Sequence, residues 1–553
     1  MRLVAKVWFR MSRGPGAGHS SASLMARAAH GFAWVFAWRM ATRVMGLGST
    51  LVLVRLLAPA EFGIVAIAMS FIQSIDQFSQ IGVEEALIRM PSPDRRHYDT
   101  AFTMIAMRCC LIAAIAAAAA LPVAGFFEEP RLAPIMLVIA GVTLIAGVEN
   151  IGVQDFRREM RFDQEFIFQA VPRLAGILTT VVVALVWRNY WALVIGTAVT
   201  RVTRVAMSYF IHPMRPHFSL GAWRDLVGYS LWTWAICVAR ILRDQPITFI
   251  IGRALGPSRV GMLSVGSEIA LLPSSEIVLP MGRSMFSAFA LARRSGEDVE
   301  AIFRRLVGAT AIVTLPASIG LALVAGPLVG IMLGPAWLDA VPLLQVVAVG
   351  SAFGIFGQAC HAQFDAFGML RQDFSVILFC AVARTVLVAG LVPHFGLFGG
   401  AAGYAASLAL EPVAYLVVKW RSLPFSGRAL AGVAIRPVLA TCGMALVLLR
   451  FSPLSTTASE TFRGLAGDLV LAGLIGAVSY ASLILLLWWL AKQPAGAEFD
   501  FLAMIRKRVR PRDRDPAPDE RFMAYDTTTL EGCAREQRVE PELASDLGKV
   551  KSL

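Results

Sequence analysis

Fourteen apolar segments, each near the length needed to cross a bilayer, occupy most of this 553-residue chain. They lie near 31–57, 62–88, 101–122, 132–154, 166–187, 190–212, 226–252, 260–289, 306–333, 341–367, 374–392, 397–418, 430–450 and 468–490. A helix needs about 20 apolar residues to span the hydrocarbon layer. Within that layer the backbone must satisfy its own polar groups, so only helices or closed barrels cross it. The runs are too long for barrel strands and lack their alternation. Charged residues make up 16% of the chain, against about 25% in a soluble protein. The sequence therefore predicts an all-α polytopic membrane protein with about 14 transmembrane helices.

A short motif occurs twice between these segments. Arg55-Leu56-Leu57-Ala58-Pro59-Ala60-Glu61-Phe62-Gly63 returns, 198 residues later, as Arg253-Ala254-Leu255-Gly256-Pro257-Ser258-Arg259-Val260-Gly261. Arg, Leu, Pro and Gly match in place, and Trp34 and Trp232 keep the same offset. Proline stops one helix, and glycine lets the next pack closely. A corner used twice points to two copies of one bundle, an arrangement common in secondary transporters.

The formal net charge of +13 would suit a nucleic-acid partner, but its distribution argues for topology instead. The even-numbered loops carry Arg89, Arg95, Arg96, Arg157, Arg158, Arg161, Arg215, Arg224, Arg293, Arg294, Arg304, Arg305, Arg371, Lys419, Arg421 and Arg428. The odd-numbered loops carry about five basic residues. Such an excess marks the cytoplasmic side. The first 30 residues and the stretch Arg506-Lys507-Arg508-Val509-Arg510 are basic too. Both termini are therefore expected in the cytoplasm of a multi-pass membrane protein, with no nucleic acid as partner. No cleavable signal is evident in the first 30 residues, and the Pro- and charge-rich tail is expected to be poorly ordered.

The sequence lacks GxxxxGK[ST], HExxH and GxSxG, so no P-loop, zincin or nucleophile-elbow chemistry is expected. Six of seven cysteines fall in spans, with Cys533 in the tail and no CxxC. No cofactor, metal site or catalytic residue is expected. Asp513-Arg514-Asp515 reads as a solvated part of the tail. No loop is large enough for an external catalytic domain.

What remains to carry function is charge inside the spans. An ionised side chain at mid-bilayer costs roughly 2.5–3.5 kcal/mol, so it faces water, a partner or the interface. Arg39 and Arg43 lie at i,i+4 on the first segment; Arg240 and Asp244 do so on the seventh, where they could pair. Further arginines occupy Arg108, Arg173, Arg201, Arg204, Arg283 and Arg384. Guanidinium offers planar paired donors to a phosphate or pyrophosphate. Gln73, Asp76, Gln77 and Gln80 share a helical face, as do Gln358, His361 and Asp365. Glu149, Asn150 and Gln154 cluster on the fourth segment; Glu268 and Glu276 lie on the eighth, the latter between Pro273 and Pro280 as a candidate bend. The candidate cavity set is Arg39, Arg43, Arg240, Gln73, Gln77, Gln358 and His361. The candidate ion-coupling set is Asp244 first, then Asp76, Glu268 and Asp365, carrying H⁺ or Na⁺. The alternative for each is hydrogen bonding between packed helices.

Leu56-Leu57-Ala58-Pro59-Ala60-Glu61-Phe62-Gly63, then Phe78-Ser79-Gln80-Ile81-Gly82-Val83-Glu84-Glu85-Ala86-Leu87-Ile88-Arg89, resemble the opening helices of bacterial polysaccharide flippases. These belong to the multidrug/oligosaccharidyl-lipid/polysaccharide exporter superfamily. Arg215-Pro216-His217-Phe218-Ser219-Leu220 resembles the family's mid-chain connection. The resemblance implies two six-helix lobes, here 31–212 and 226–418, with two additional helices over 430–490, after a basic arm over 1–30 and before a tail over 491–553. It also implies translocation of undecaprenyl-pyrophosphate-linked oligosaccharide units for O-antigen, capsule or exopolysaccharide biosynthesis. A polysaccharide polymerase, a chain-length protein and membrane lipids would be partners. The competing expectations are a lipid II flippase, a multidrug/cation antiporter of the same superfamily, and a membrane glycosyltransferase or polymerase. An arginine-rich cavity disfavours cationic drugs.

Overall fold

The computed structural model describes residues 48–79, 82–90, 92–159, 161–226, 231–451 and 462–491, with 42, 45 and 46. Among the described residues there is no strand. A helix over 48–56 precedes α1 (Pro59–Phe78), α2 (Val83–Arg89), α3 (Arg95–Phe126), α4 (Leu132–Ala146), α5 (Asp155–Arg158), α6 (Phe162–Trp187) and α7 (Trp191–Ile211). An extended connection leads through α8 (Trp223–Leu226) to α9 (Leu231–Asp244), α10 (Pro246–Leu255), α11 (Pro257–Ala270), α12 (Leu279–Ser295) and α13 (Val299–Leu323). Then follow α14 (Ala325–Met332), α15 (Val341–Ser351), α16 (Gly354–Phe367), α17 (Leu370–Ser422), α18 (Gly427–Phe451) and α19 (Phe462–Leu490).

Among the described residues six helices are long and apolar enough to cross a membrane, or up to eight if each of two bent pairs counts as one span. The expected count of 14 is not confirmed: the segment expected over 31–57 lies largely outside the described residues, and others are divided, bent or merged. The segment expected over 226–252 is divided where Pro246 opens α10. That over 260–289 is divided by a π-helical turn, Ser274–Val278, between Pro273 and Pro280. That over 132–154 bends by 74° between α4 and the Ile151–Arg158 stretch, and that over 341–367 by 44° between α15 and α16. Conversely, the 53 residues of α17 are two helical arms meeting at Gly396, whose φ of 57° and ψ of −136° are not helical. A left-handed φ of that kind favours glycine.

Sequence punctuation explains most of these ends. Pro59, Pro246 and Pro257 stand in the first turn of α1, α10 and α11, where a missing N–H costs nothing. Gly296 and Gly368 close α12 and α16 in the left-handed conformation, a common helix stop. Pro122, Pro172, Pro316 and Pro437 lie inside long helices, which membrane helices tolerate when neighbours satisfy the freed carbonyls.

The largest core gathers α1, the second half of α3, α4, α10, α11, α15 and α17. It contains Trp337, fully buried, whose indole N–H donates to the Val54 carbonyl at 3.1 Å. Phe62 meets it edge-on at 5.6 Å. The two copies of the repeated corner therefore share one core. Beside it, Glu61 accepts the Tyr190 N–H at 2.6 Å and lies 3.6 Å from Arg131. Arg131 also donates to Glu129 at 2.7 and 2.9 Å, which holds the Glu129 carboxyl below its ordinary range. Outward-facing apolar side chains such as Leu121, Val186, Leu446 and Val478 are exposed, as lipid-facing positions require.

The connection after α7 is strapped to the start of α3. Asp99 accepts the His217 N–H at 2.8 Å, Thr103 the Ser219 N–H at 2.8 Å and Thr100 the Ala222 N–H at 3.2 Å. Phe102 packs on Phe218 at 5.3 Å. The stretch singled out in the sequence as a mid-chain connection is thus built into the fold by three side chains of one helix.

Candidate functional site

Two polar clusters join α9, α16 and both arms of α17. In the first, Arg243 forks onto Asp244 at 2.9 and 3.1 Å and donates to Glu411 at 2.7 Å. Arg384, 3% exposed, donates to Asp244 at 2.8 Å and to the Ser407 hydroxyl at 2.8 Å. It also lies 3.8 Å from Glu411 and 4.8 Å from the centre of the Tyr404 ring. Two guanidinium groups and two carboxylates thus balance in charge where α9 meets α17. Arg384 is the enclosed member of this network, while Asp244 is exposed.

In the second cluster, Arg240 and His361 approach at 3.0 Å between Nη2 and Nε2. His361 Nδ1 lies 2.8 Å from Asp373 Oδ1, and Tyr415 donates to the same oxygen at 2.7 Å. Asp365 Oδ2 lies 3.9 Å from His361 Nε2. Arg240 and Asp365 are exposed, while Asp373 is 1% exposed. The string therefore runs from an accessible guanidinium to a carboxylate sealed between helices. Nearby, Gln358 covers Gly282: a methyl group there would come 2.6 Å from Gln358 Nε2.

These distances revise the expected pairing on α9. Arg240 and Asp244 are spaced to share a face, but the Asp244 hydrogen bonds go to Arg243 and Arg384. Arg240 turns to His361. The fork geometry of Arg243, next in sequence to Asp244, wins over the i,i+4 neighbour.

The other candidates separate. Arg39, Arg43 and Gln80 lie outside the described residues. Gln73 is exposed and Gln77 half-buried on α1. Asp76 on α1 pairs with Arg108 on α3 at 2.8 Å. Glu268 is exposed on α11. The fourth-segment cluster serves packing: Glu149 pairs with Arg204 at 2.9 Å, Asn150 donates to the Met214 carbonyl at 2.7 Å, and Gln154 donates to Glu84 at 3.0 Å. Of the candidates, the structure brings together Arg240, His361 and Asp365, with Gln358 on the same helix as the last two. It adds Asp373, Tyr415, Glu411 and Arg384, none of which the sequence-based set contained. Asp373 lies just before a span expected to begin at 374, so it reads as a loop residue. Glu411 stands directly before Pro412 inside a span, and that intramembrane charge was the available signal. Among the described residues no group of three His, Cys, Asp or Glu side chains is placed to hold a metal ion.

Comparison with known proteins adds to this geometry. A family model described as "Polysaccharide biosynthesis protein" matches residues 52–342. The chain is 25% identical over 316 residues to the lipopolysaccharide biosynthesis protein WzxC of Escherichia coli (strain K12), covering 55% of this chain. It spans 63% of that relative, just under two thirds of its length. It is 23% identical over 445 residues to the succinoglycan biosynthesis transport protein ExoT of Rhizobium meliloti (strain 1021), covering 79% of this chain and 88% of the relative. Among solved structures, the lipid II flippase MurJ in an inward closed conformation superposes with a TM-score of 0.66 at 11% identity, covering 83% of this chain and 99% of the other. That likeness establishes the fold.

Proposed function

Because the chain belongs to the polysaccharide biosynthesis protein family, a membrane family with members named for lipopolysaccharide biosynthesis and succinoglycan transport, we propose that it flips a lipid-linked oligosaccharide unit across the bacterial inner membrane. The substrate class proposed is an undecaprenyl-pyrophosphate-linked repeat unit of O-antigen, capsule or exopolysaccharide. The observation that carries this is Arg240. An exposed guanidinium on a predominantly apolar helix set, in contact with His361, is suited to receive a pyrophosphate. Arg39 and Arg43 on the first segment are proposed to face the same anion from the other lobe. Gln73, Gln77 and Gln358 would offer amide contacts to sugar. The lobes are proposed as 31–212 and 226–418, with 430–490 beside them. Reciprocal packing of the repeated corner supports that division. Positive charge places both termini in the cytoplasm in this reading. Asp244, Asp76, Glu268 and Asp365 stand as candidates for coupling to H⁺ or Na⁺, and a polymerase and a chain-length protein as candidate partners.

The test is complementation in a host lacking its own polysaccharide flippase. Wild type should restore surface polysaccharide. Arg240→Ala and the Arg39→Ala, Arg43→Ala double variant should leave protein in the membrane and lipid-linked units on the inner leaflet. Lys at 240 should rescue in part, since it lacks the planar fork. Normal export from both alanine variants would refute the assignment. Rescue of lipid II flipping but not of polysaccharide export would redirect it to peptidoglycan.

A further inference from the structure

We infer that His361 is a proton-binding site whose occupancy decides whether Arg240 is available to the transported anion. The inference rests on the reading of Arg240 as an anion contact and adds the group that controls it.

The protonation state of His361 follows from its partners. Guanidinium can only donate, so Nε2 must accept from Arg240 at 3.0 Å. Asp373 and His361 Nδ1 are 2.8 Å apart, so the ring proton sits on Nδ1 and points at the carboxylate. In this arrangement His361 accepts at Nε2 and donates at Nδ1. The groups facing the ring are Arg240 from α9, Asp365 from its own helix, and Asp373 and Tyr415 from the two arms of α17. Beyond them, the packed elements contribute Glu276, Arg293 on the Phe367 carbonyl at 3.2 Å, and Lys419 paired with Glu300 at 2.9 Å. The four facing groups carry one positive and two negative charges. The cluster is one proton short of neutral. Asp373 Oδ2, buried, has no hydrogen-bond partner among the described residues, so that oxygen's share of the charge is left without a donor.

A hydronium ion reaching the exposed Asp365 and Arg240 would give its proton to the Nε2 lone pair: the N–H bond forms, the donor's O–H bond breaks and water leaves. Nε2 then becomes a donor, and two donors cannot share a hydrogen bond. Arg240 is released, and the new N–H turns to Asp365, now 3.9 Å away. Loss of the proton restores the acceptor and recaptures Arg240. By linkage, a proton at His361 and an anion at Arg240 each strengthen the binding of the other.

Purified full-length protein in detergent tests this with inorganic sulfate as the probe. Sulfate keeps its charge across about pH 5 to 8, the window where an unperturbed histidine titrates. Wild type should bind sulfate roughly tenfold more tightly at the acid end, within the usual range for coupled sites, with proton uptake measured by calorimetry in buffers of different ionisation enthalpy. His361→Gln should bind sulfate with a flat pH profile and no uptake. Asp373→Asn should move the midpoint to lower pH, since it removes the anion that favours the imidazolium. A pH-independent wild type, a His361→Gln profile like wild type, or an unshifted midpoint in Asp373→Asn overturns the proton site. If His361→Gln does not fold, Asp373→Asn decides. Absence of sulfate binding, or binding untouched by Arg240→Ala, overturns instead the anion site.

Discussion

Gly63 and Gly261, the last residues of the repeated corner, lock α1 and α11 together at backbone distance. A methyl group on Gly63 would lie 1.7 Å from the Pro257 carbonyl oxygen, and one on Gly261 would lie 1.9 Å from that of Pro59. Each glycine accommodates the proline of the other copy. The internal repeat is therefore also a reciprocal contact, and no side chain larger than hydrogen fits there without moving a helix.

Gly63→Val should force α1 and α11 apart. Spin labels at Ala60 and Ser258 should report a longer and broader distance distribution by pulsed electron resonance. The same variant should melt at lower temperature, overpacking costing about 1–3 kcal/mol. An unchanged distance would mean that backbone contact does not set the crossing.

Arg384 holds Asp244 and Ser407 from a fully enclosed position. Arg384→Ala should destabilise the protein by about 1–3 kcal/mol, the cost of removing a charged donor from Asp244 and the Ser407 hydroxyl. Thermal melting in detergent measures it. A milder loss in the Arg384→Ala, Asp244→Asn double variant than in Arg384→Ala alone is expected, and additive losses would deny the coupling.

Asp99, Thr100 and Thr103 pin the connection between α7 and α9. Asp99→Ala should cost about 1–3 kcal/mol locally and speed chymotrypsin cleavage after the exposed Phe218, with little effect at Phe451. Equal cleavage rates in wild type and variant would show that the strap is held elsewhere.

Glu129 has its carboxyl held down by Arg131. A carboxyl with a depressed native value stabilises the fold above its ordinary range, and that stabilisation is lost as pH falls through the native value. Glu129→Gln should thus melt below wild type at pH 7, and the two should converge in acid below that depressed value. A constant gap at every pH would contradict an ionic origin.

The basic loops predict orientation. Cysteine placed at Arg294 should be shielded from membrane-impermeant reagent in intact cells, and cysteine at Thr457 should react. Labelling at 294 from outside would invert the topology.

The sequence alone determined the solvent and the local order of this protein. Long apolar runs admit only helices in lipid, proline and glycine mark where helices start and stop, and the corner at 55–63 and 253–261 declares itself twice. It also announced that charge inside the spans would matter. The tertiary structure decided how those runs are divided and which charges meet. Apolar character averages over a segment and is blind to a single Pro246 or to the turn at Ser274–Val278, so two expected spans are divided there, and the described residues hold six to eight spans by continuous length. Helical spacing says that Arg240 and Asp244 share a face. It cannot say that Arg384, 140 residues away in sequence, claims Asp244, or that His361, 121 residues away, claims Arg240. Spacing is a property of one helix, while an ion pair forms by competition among all the helices packed around it. Only their packing brings Asp373, Tyr415 and Glu411 into that competition.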